Sequence, residues 1–345
     1  MKKLLLVFAL VMTSSAAFAE VQYQRLAKGK MIAYEHIVRQ PNGATLILLP
    51  GVNRSLESSD RAVRLLLEQG WNLLLPSLPA HPLSVSALDK YEIPYFNLNS
   101  GLRVKEFAQD IEELTVILKI GKAVPVTLSY SSSVGAYLNP KTFPHIIETV
   151  PLGTALEADP EAAQKTATWE NWLRMNPFMA PFWIRQFRDQ SYASHWNKVV
   201  DTNLKNDPEF YGANPRTSDI KAGYVAIARA VEDFNYTQWD FSAEKRTRDF
   251  VLAGNENPER LKNQIEVIKN YLATGKPARV VVVAGAGHIM PTDKPVIYSI
   301  VVGLLGSQPR QAPVQFAIVN PTDSVKDFEW KDATALDRWI KENQR

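Results

Sequence analysis

Four apolar runs constrain this chain more than any other feature: "TLILLPG" from Thr45, "WNLLLPS" from Trp71, "PVTLSYS" from Pro125 and "ARVVVVAGAG" from Ala278. Each is short, carries apolar residues at consecutive positions, and stops at glycine, proline or serine. A strand patterned on both faces has to be covered on both faces, as in a parallel sheet. The segments between the runs have helical spacing. "DRAVRLLLEQG" is one such segment; Val104, Phe107, Ile111, Leu114 and Leu118 define another, and Ile265, Ile268 and Leu272 a third. Strands alternating with helices predict an α/β fold built on a mostly parallel sheet flanked by helices.

The alternation breaks between about Leu156 and Ser242. This stretch is rich in Trp, Phe, Asn and Pro and carries no buried-strand pattern. It is expected to be a helical insertion (156–242) folded as a cap over a core made of 20–155 and 243–308. The remainder, 309–345, reads as a C-terminal extension in which "VQFAIV" could add an edge element. Trp169, Trp172, Phe178, Phe182, Trp183, Phe187 and Trp196 lie in the insertion. They read first as its own core and second as a substrate wall. Arg174, Arg185 and Arg188 read either as an anion site or as solvated charge.

Residues 1–19 have the three parts of a secretory signal: Lys2-Lys3, an apolar stretch from Leu4 to Met12, and the small-residue end Ala17-Phe18-Ala19. Cleavage after Ala19 and a periplasmic or secreted destination are expected. The apolar stretch is too short for a comfortable membrane span, and no later segment reaches that length. With 0 Cys the chain has no disulfides, catalytic thiol or cysteine-based metal site. Removing Lys2 and Lys3, with no acidic residue, takes the formal charge from +3 to +1. That balance gives no electrostatic footprint for nucleic acid. No cofactor, nucleotide or metal motif is present, and the expected partner is a small molecule.

The chemistry-bearing stretch is "PVTLSYSSSVGAYL", where an apolar run enters three consecutive hydroxyls and a small-residue run leaves them. In an open parallel sheet, ligands meet residues at the carboxyl ends of the strands. A serine on a tight strand-to-helix turn needs small neighbours two residues to either side, commonly as G-x-S-x-G. The frame Ser129-Tyr130-Ser131-Ser132-Ser133 puts Ser131 at the centre. The rival frame, Ser131 to Gly135, centres on Ser133.

Taken with "LILLPGVNRS", "PSLPAHPLS", "VLAGNENPE" and "VVVVAGAGHIMP", this turn resembles the α/β-hydrolase family from about Thr45 to Leu305. The resemblance implies a serine nucleophile, an acid and a histidine in that chain order, cleaving an ester or thioester with an apolar acyl or aromatic portion. It implies Ser131 as nucleophile, His288 as base, and backbone N–H groups of Val52 and Ser132 as the oxyanion hole. His81 takes a structural loop role. The family's G-x-x-D pattern would place the acid at 257, where this chain has Asn257. Glu256 is therefore the expected acid, with Asn257, Asp159 and Glu157 as alternatives. Pro50 also stands where a histidine usually precedes the loop glycine. These departures leave two other readings open: an inactive binding protein of the same fold, and a peptidase.

Overall fold

The computed structural model describes residues 20–27, 29–51, 55–77, 81, 103–153, 234–308, 312–323 and 328–344, with isolated positions between 168 and 231. The expected signal segment, most of the insertion, Val52, Glu157 and Asp159 lie outside the described residues.

Nine strands form one sheet in the order β1-β2-β4-β3-β5-β6-β7-β8-β9. They are β1 (Gln22–Arg25), β2 (Met31–Ile37), β3 (Thr45–Leu49), β4 (Asn72–Ser77), β5 (Ala123–Leu128), β6 (His145–Thr149), β7 (Thr247–Ala253), β8 (Ala278–Val283) and β9 (Val314–Val319). Strand β2 runs antiparallel to both β1 and β4, and every pairing from β4 to β9 is parallel. The four apolar runs thus become β3, β4, β5 and β8 at the centre and right of the sheet.

Continuous apolar patterning is needed because both faces are covered. Ile47, Leu49, Val280 and Val282 join one core, with α2 (Val104–Ile117), α3 (Ser131–Tyr137), α4 (Pro258–Leu272) and α7 (Ala333–Asn343) packed against it. Leu46, Leu48, Val281 and Val283 join the other, under α1 (Arg61–Glu68) and α6 (Pro295–Ser307). Alternate residues of one strand face opposite layers, so a polar residue at either position would lie in a core. A short helix, α5 (Met290–Asp293), leads into α6.

Within 309–345, "VQFAIV" forms the edge element expected of it: β9 ends the sheet and pairs with β8 along its whole length, and Leu336 and Ile340 of α7 are buried against the sheet. One boundary differs from the sequence reading. The core resumes before residue 243. Tyr236 and Phe241 are buried, and the Tyr236 N–H donates to the Gly153 carbonyl at 2.7 Å.

Candidate active site

Strand β5 ends at Leu128, and the next residue, Ser129, has φ 54°. A serine rarely adopts this left-handed conformation, which costs free energy and persists only when its surroundings hold it. Here they do. The Ser129 N–H donates to the Thr149 carbonyl of β6 at 3.0 Å, and its own carbonyl accepts the Ser132 N–H at 3.0 Å. Tyr130 then turns helical and α3 begins. The chain reverses within two residues, leaving the Ser129 side chain at the carboxyl end of the sheet. Gly135 lets the helix lie this close: a Cβ there would sit 2.7 Å from Ile146 Cδ1 and 2.8 Å from Thr127 Cγ2.

The serine that meets the histidine is Ser129, which corrects the expectation of Ser131 or Ser133. Its hydroxyl lies 2.8 Å from His288 Nε2. Ser131 is buried; its hydroxyl accepts the Leu128 N–H at 2.8 Å and reaches the Leu49 carbonyl at 3.0 Å, tying the turn to β3. The Ser132 hydroxyl donates to the Ser129 carbonyl at 2.6 Å, and that of Ser133 to the Tyr130 carbonyl at 2.6 Å. All three hydroxyls of the serine run are committed to backbone groups of the turn and of its neighbours, the Ser132 hydroxyl also accepting the Leu152 N–H at 2.9 Å. The frame of the turn is therefore Thr127-Leu128-Ser129-Tyr130-Ser131, with threonine and serine in the small positions. The Ser132 N–H, expected in the oxyanion hole, is taken by Ser129; the N–H that follows Ser129 directly is that of Tyr130.

His288 reaches this point on the loop after β8, and Glu256 on the loop after β7. The loops touch through Gly254, whose N–H donates to the Val283 carbonyl at 2.8 Å. A Cβ at Gly254 would fall 2.9 Å from that oxygen and 3.0 Å from Ala284 Cα, so no side chain fits there. The Asn255 N–H completes the join on the Ala286 carbonyl at 2.9 Å. Glu256 Oε2 is then 2.5 Å from His288 Nδ1. An ionised carboxylate only accepts, so the Nδ1 proton points at Glu256. Nε2 is left as the acceptor facing the Ser129 hydroxyl.

Glu256 is almost wholly buried, and burial opposes its ionisation. The hydrogen bond and charge of His288 outweigh that, with help from the Asn257 N–H and Arg260, and the carboxyl sits below the usual glutamate value. Asn257 has a different task. Its side chain caps α4, with Oδ1 accepting the N–H groups of Glu259 at 3.0 Å and Arg260 at 3.4 Å. The position where the family pattern would place the acid is thus committed to starting a helix, and the preceding residue, one methylene longer, spans the gap to the imidazole.

His81 is buried. Its Nε2 lies 3.0 Å from the Gly51 carbonyl and its ring meets Tyr130 edge-on at 5.9 Å. It therefore fixes the loop after β3 next to the serine turn, in keeping with a structural role. Of the insertion's aromatics, Trp169 and Trp172 are exposed and in edge contact at 5.8 Å. The others, and Arg174, Arg185 and Arg188, lie outside the described residues. Among the described residues no group of three or more His, Cys, Asp or Glu side chains could hold a metal ion. No helix among them is long and apolar enough to cross a membrane.

No protein-family model and no curated protein matches this sequence. Solved structures do. A hydrolase from Pseudomonas aeruginosa superposes with a TM-score of 0.57 at 14% identity, over 84% of this chain and 99% of that one. The enol-lactonase from Burkholderia xenovorans gives 0.56 at 14% identity, over 83% and 100%. This chain has the α/β-hydrolase fold. An esterase from Exiguobacterium antarcticum, at 0.58 and 13% identity over 84% and 100%, shares the same architecture. At these identities the likeness establishes the fold; what the site does rests on its own geometry.

Proposed function

We propose that this protein is an exported serine hydrolase that cleaves an ester or thioester, with Ser129 as nucleophile, His288 as general base and Glu256 as the acid. The observation that carries the reading is the unbroken contact chain Ser129 Oγ–His288 Nε2–Nδ1–Glu256 Oε2, at 2.8 and 2.5 Å, on a strained strand-to-helix turn.

The chemistry follows from the donors and acceptors. Ser129 Oγ bonds to the acyl carbon as its proton passes to Nε2, and negative charge develops on the carbonyl oxygen. The Tyr130 N–H, at the opening of α3, would face that oxygen, with a second N–H expected from Val52, the residue after Gly51 in sequence. The imidazolium so formed is stabilised by Glu256, whose carboxyl is already biased toward the ionised form. Its proton then goes to the departing alkoxide or thiolate as the acyl–oxygen or acyl–sulfur bond breaks. Water then adds to the acyl carbon and gives a proton to Nε2, and as the Ser129–acyl bond breaks that proton passes to Ser129 Oγ and the carboxylic acid leaves.

An apolar or aromatic acyl portion suits an insertion rich in Trp and Phe that leaves the chain after β6, at the carboxyl end of the sheet. Export rests on the signal-like residues 1–19. The test is reaction of the purified mature protein with a fluorophosphonate probe, together with hydrolysis of short-chain aryl esters. Wild type should do both and Ser129→Ala neither. A folded wild type inert in both assays would refute the proposal.

A further inference from the structure

Helix α4 buries Leu261, Gln264, Ile265, Val267, Ile268 and Tyr271, and Gln264 is the one amide in an otherwise apolar or aromatic set. The side chain is fully buried. Its Nε2 donates to Glu256 Oε2 at 3.3 Å, while its Oε1 has no hydrogen-bond partner among the described residues. The reverse amide orientation would set a carbonyl oxygen against a carboxylate, so the donor must face Glu256. A long hydrogen bond on one side and an orphaned oxygen on the other make a poor core residue; an apolar side chain of the same size would suit folding better.

We infer that Gln264 is a positioning residue that holds the Glu256 carboxylate on His288, kept at a cost in stability. This rests on the functional reading above. The need for it comes from the glutamate itself. The N-cap role of Asn257 moves the acid one residue toward β7, and the longer side chain that bridges the gap has an extra rotatable bond. Its two oxygens are therefore fixed separately: Oε1 by the Asn257 N–H at 2.9 Å, and Oε2 by Gln264 together with the imidazole. Arg260, 3.9 Å from Oε1, adds charge without that direction. Without Gln264 the carboxylate can rotate off the imidazole, and misplacement of a group in such a relay is felt in turnover rather than in binding.

The test is a double-mutant cycle on the mature protein. Gln264→Met, with Gln264→Leu as a second volume match, should melt at or above the wild-type temperature. Both kcat and probe labelling should fall on the order of tenfold to a hundredfold, with KM little changed. In a Glu256→Gln background the same substitution should cause no further loss, because it acts through that carboxylate. A stable Gln264→Met protein with wild-type kcat would overturn the inference alone, as would an equal loss in both backgrounds. A folded but unreactive wild type would remove the hydrolase reading and this inference with it.

Discussion

Strands β6, β7 and β8 carry a histidine–carboxylate pair at each end. At the carboxyl end His288 Nδ1 lies 2.5 Å from Glu256; at the amino end His145 Nε2 lies 2.8 Å from Asp249. The two differ in what else holds the carboxylate. Asp249 accepts the Arg279 backbone N–H at 2.9 Å and the Arg279 guanidinium at 2.6 and 3.1 Å. That guanidinium also donates to the Leu305 and Gln308 carbonyls, closing the end of α6. Asp249 is thus neutralised by a buried arginine, and its histidine is an addition at the rim. Glu256 has two N–H donors and a distant Arg260, so most of its charge is left for the imidazole. The far nitrogen of His288 meets a serine in a strained turn, whereas the amino-end pair serves a helix terminus. A histidine beside a carboxylate becomes a relay only through its third partner.

A neighbouring buried arginine repeats the amino-end device. Arg246 donates to the carbonyls of Gly135, Ala136 and Leu138, closing the helix that follows Ser129. Arg248 beside it pairs with Glu148 and Glu244. Arg246 and Arg279 thus close helices that pack on the sheet, whereas Arg248 ties β7 to Glu148 of β6 and to Glu244.

The largest contrast should come from removing one member of the pair at each end. Glu256→Gln should lower turnover by about 10⁴ while preserving the fold, because the imidazolium loses its counter-charge but little volume changes. His145→Ala should leave turnover at the wild-type level. Aryl-ester kinetics on both variants checks this; equal losses would erase the distinction between the pairs.

Asp249→Asn should do the opposite, costing about 3–5 kcal/mol in denaturant unfolding because Arg279 stays buried without its charge partner, with kcat of the folded protein unchanged. The pH dependence should separate the two as well. Burial would raise the Asp249 carboxyl, but the hydrogen bonds and charges of His145 and Arg279 hold it far below the usual aspartate value of 3.8. Its contribution is present above that value and survives to strongly acid solution. Glu256 is also depressed, from 4.5, so its contribution is present above that pH and fades as pH falls through its folded value. The stability gap between wild type and Glu256→Gln should therefore narrow between pH 7 and strongly acid solution before that for Asp249→Asn does.

The smallest effect concerns the cap. Asn257→Ala should cost about 1 kcal/mol of stability, as loss of an N-cap does. Asn257→Asp placed on Glu256→Gln should not restore turnover, because the side chain at 257 points at the start of α4. Recovery of activity would mean that residue 257 can reach the imidazole.

The sequence pattern carried the sheet, the two loops bearing Glu256 and His288, and the stretch holding the serine turn. It misled by two residues on the serine. Small residues flank the middle hydroxyl, yet the apolar run stops at Leu128, and the first residue past a strand end is where the backbone must reverse. Thr127 reads as strand by its β-branch, which hid it as the small residue of the turn. The backbone hydrogen bonds that occupy Ser131, Ser132 and Ser133, in the turn and from Leu49 and Leu152 beside it, have no trace in composition. The same is true of Arg246 and Arg279, whose carbonyl partners are set by where helices end in space. Asn257 was the more readable case: Asn-Pro followed by an acidic residue is an N-cap signature, and it explains why the acid precedes it.

The central claim is that Ser129, and no other hydroxyl of the turn, is the nucleophile. Peptide mapping of the fluorophosphonate adduct on the mature protein tests it most directly. The adduct should lie on Ser129, vanish in Ser129→Ala, and persist in a folded Ser133→Ala. An adduct on Ser131 or Ser133 would contradict the account.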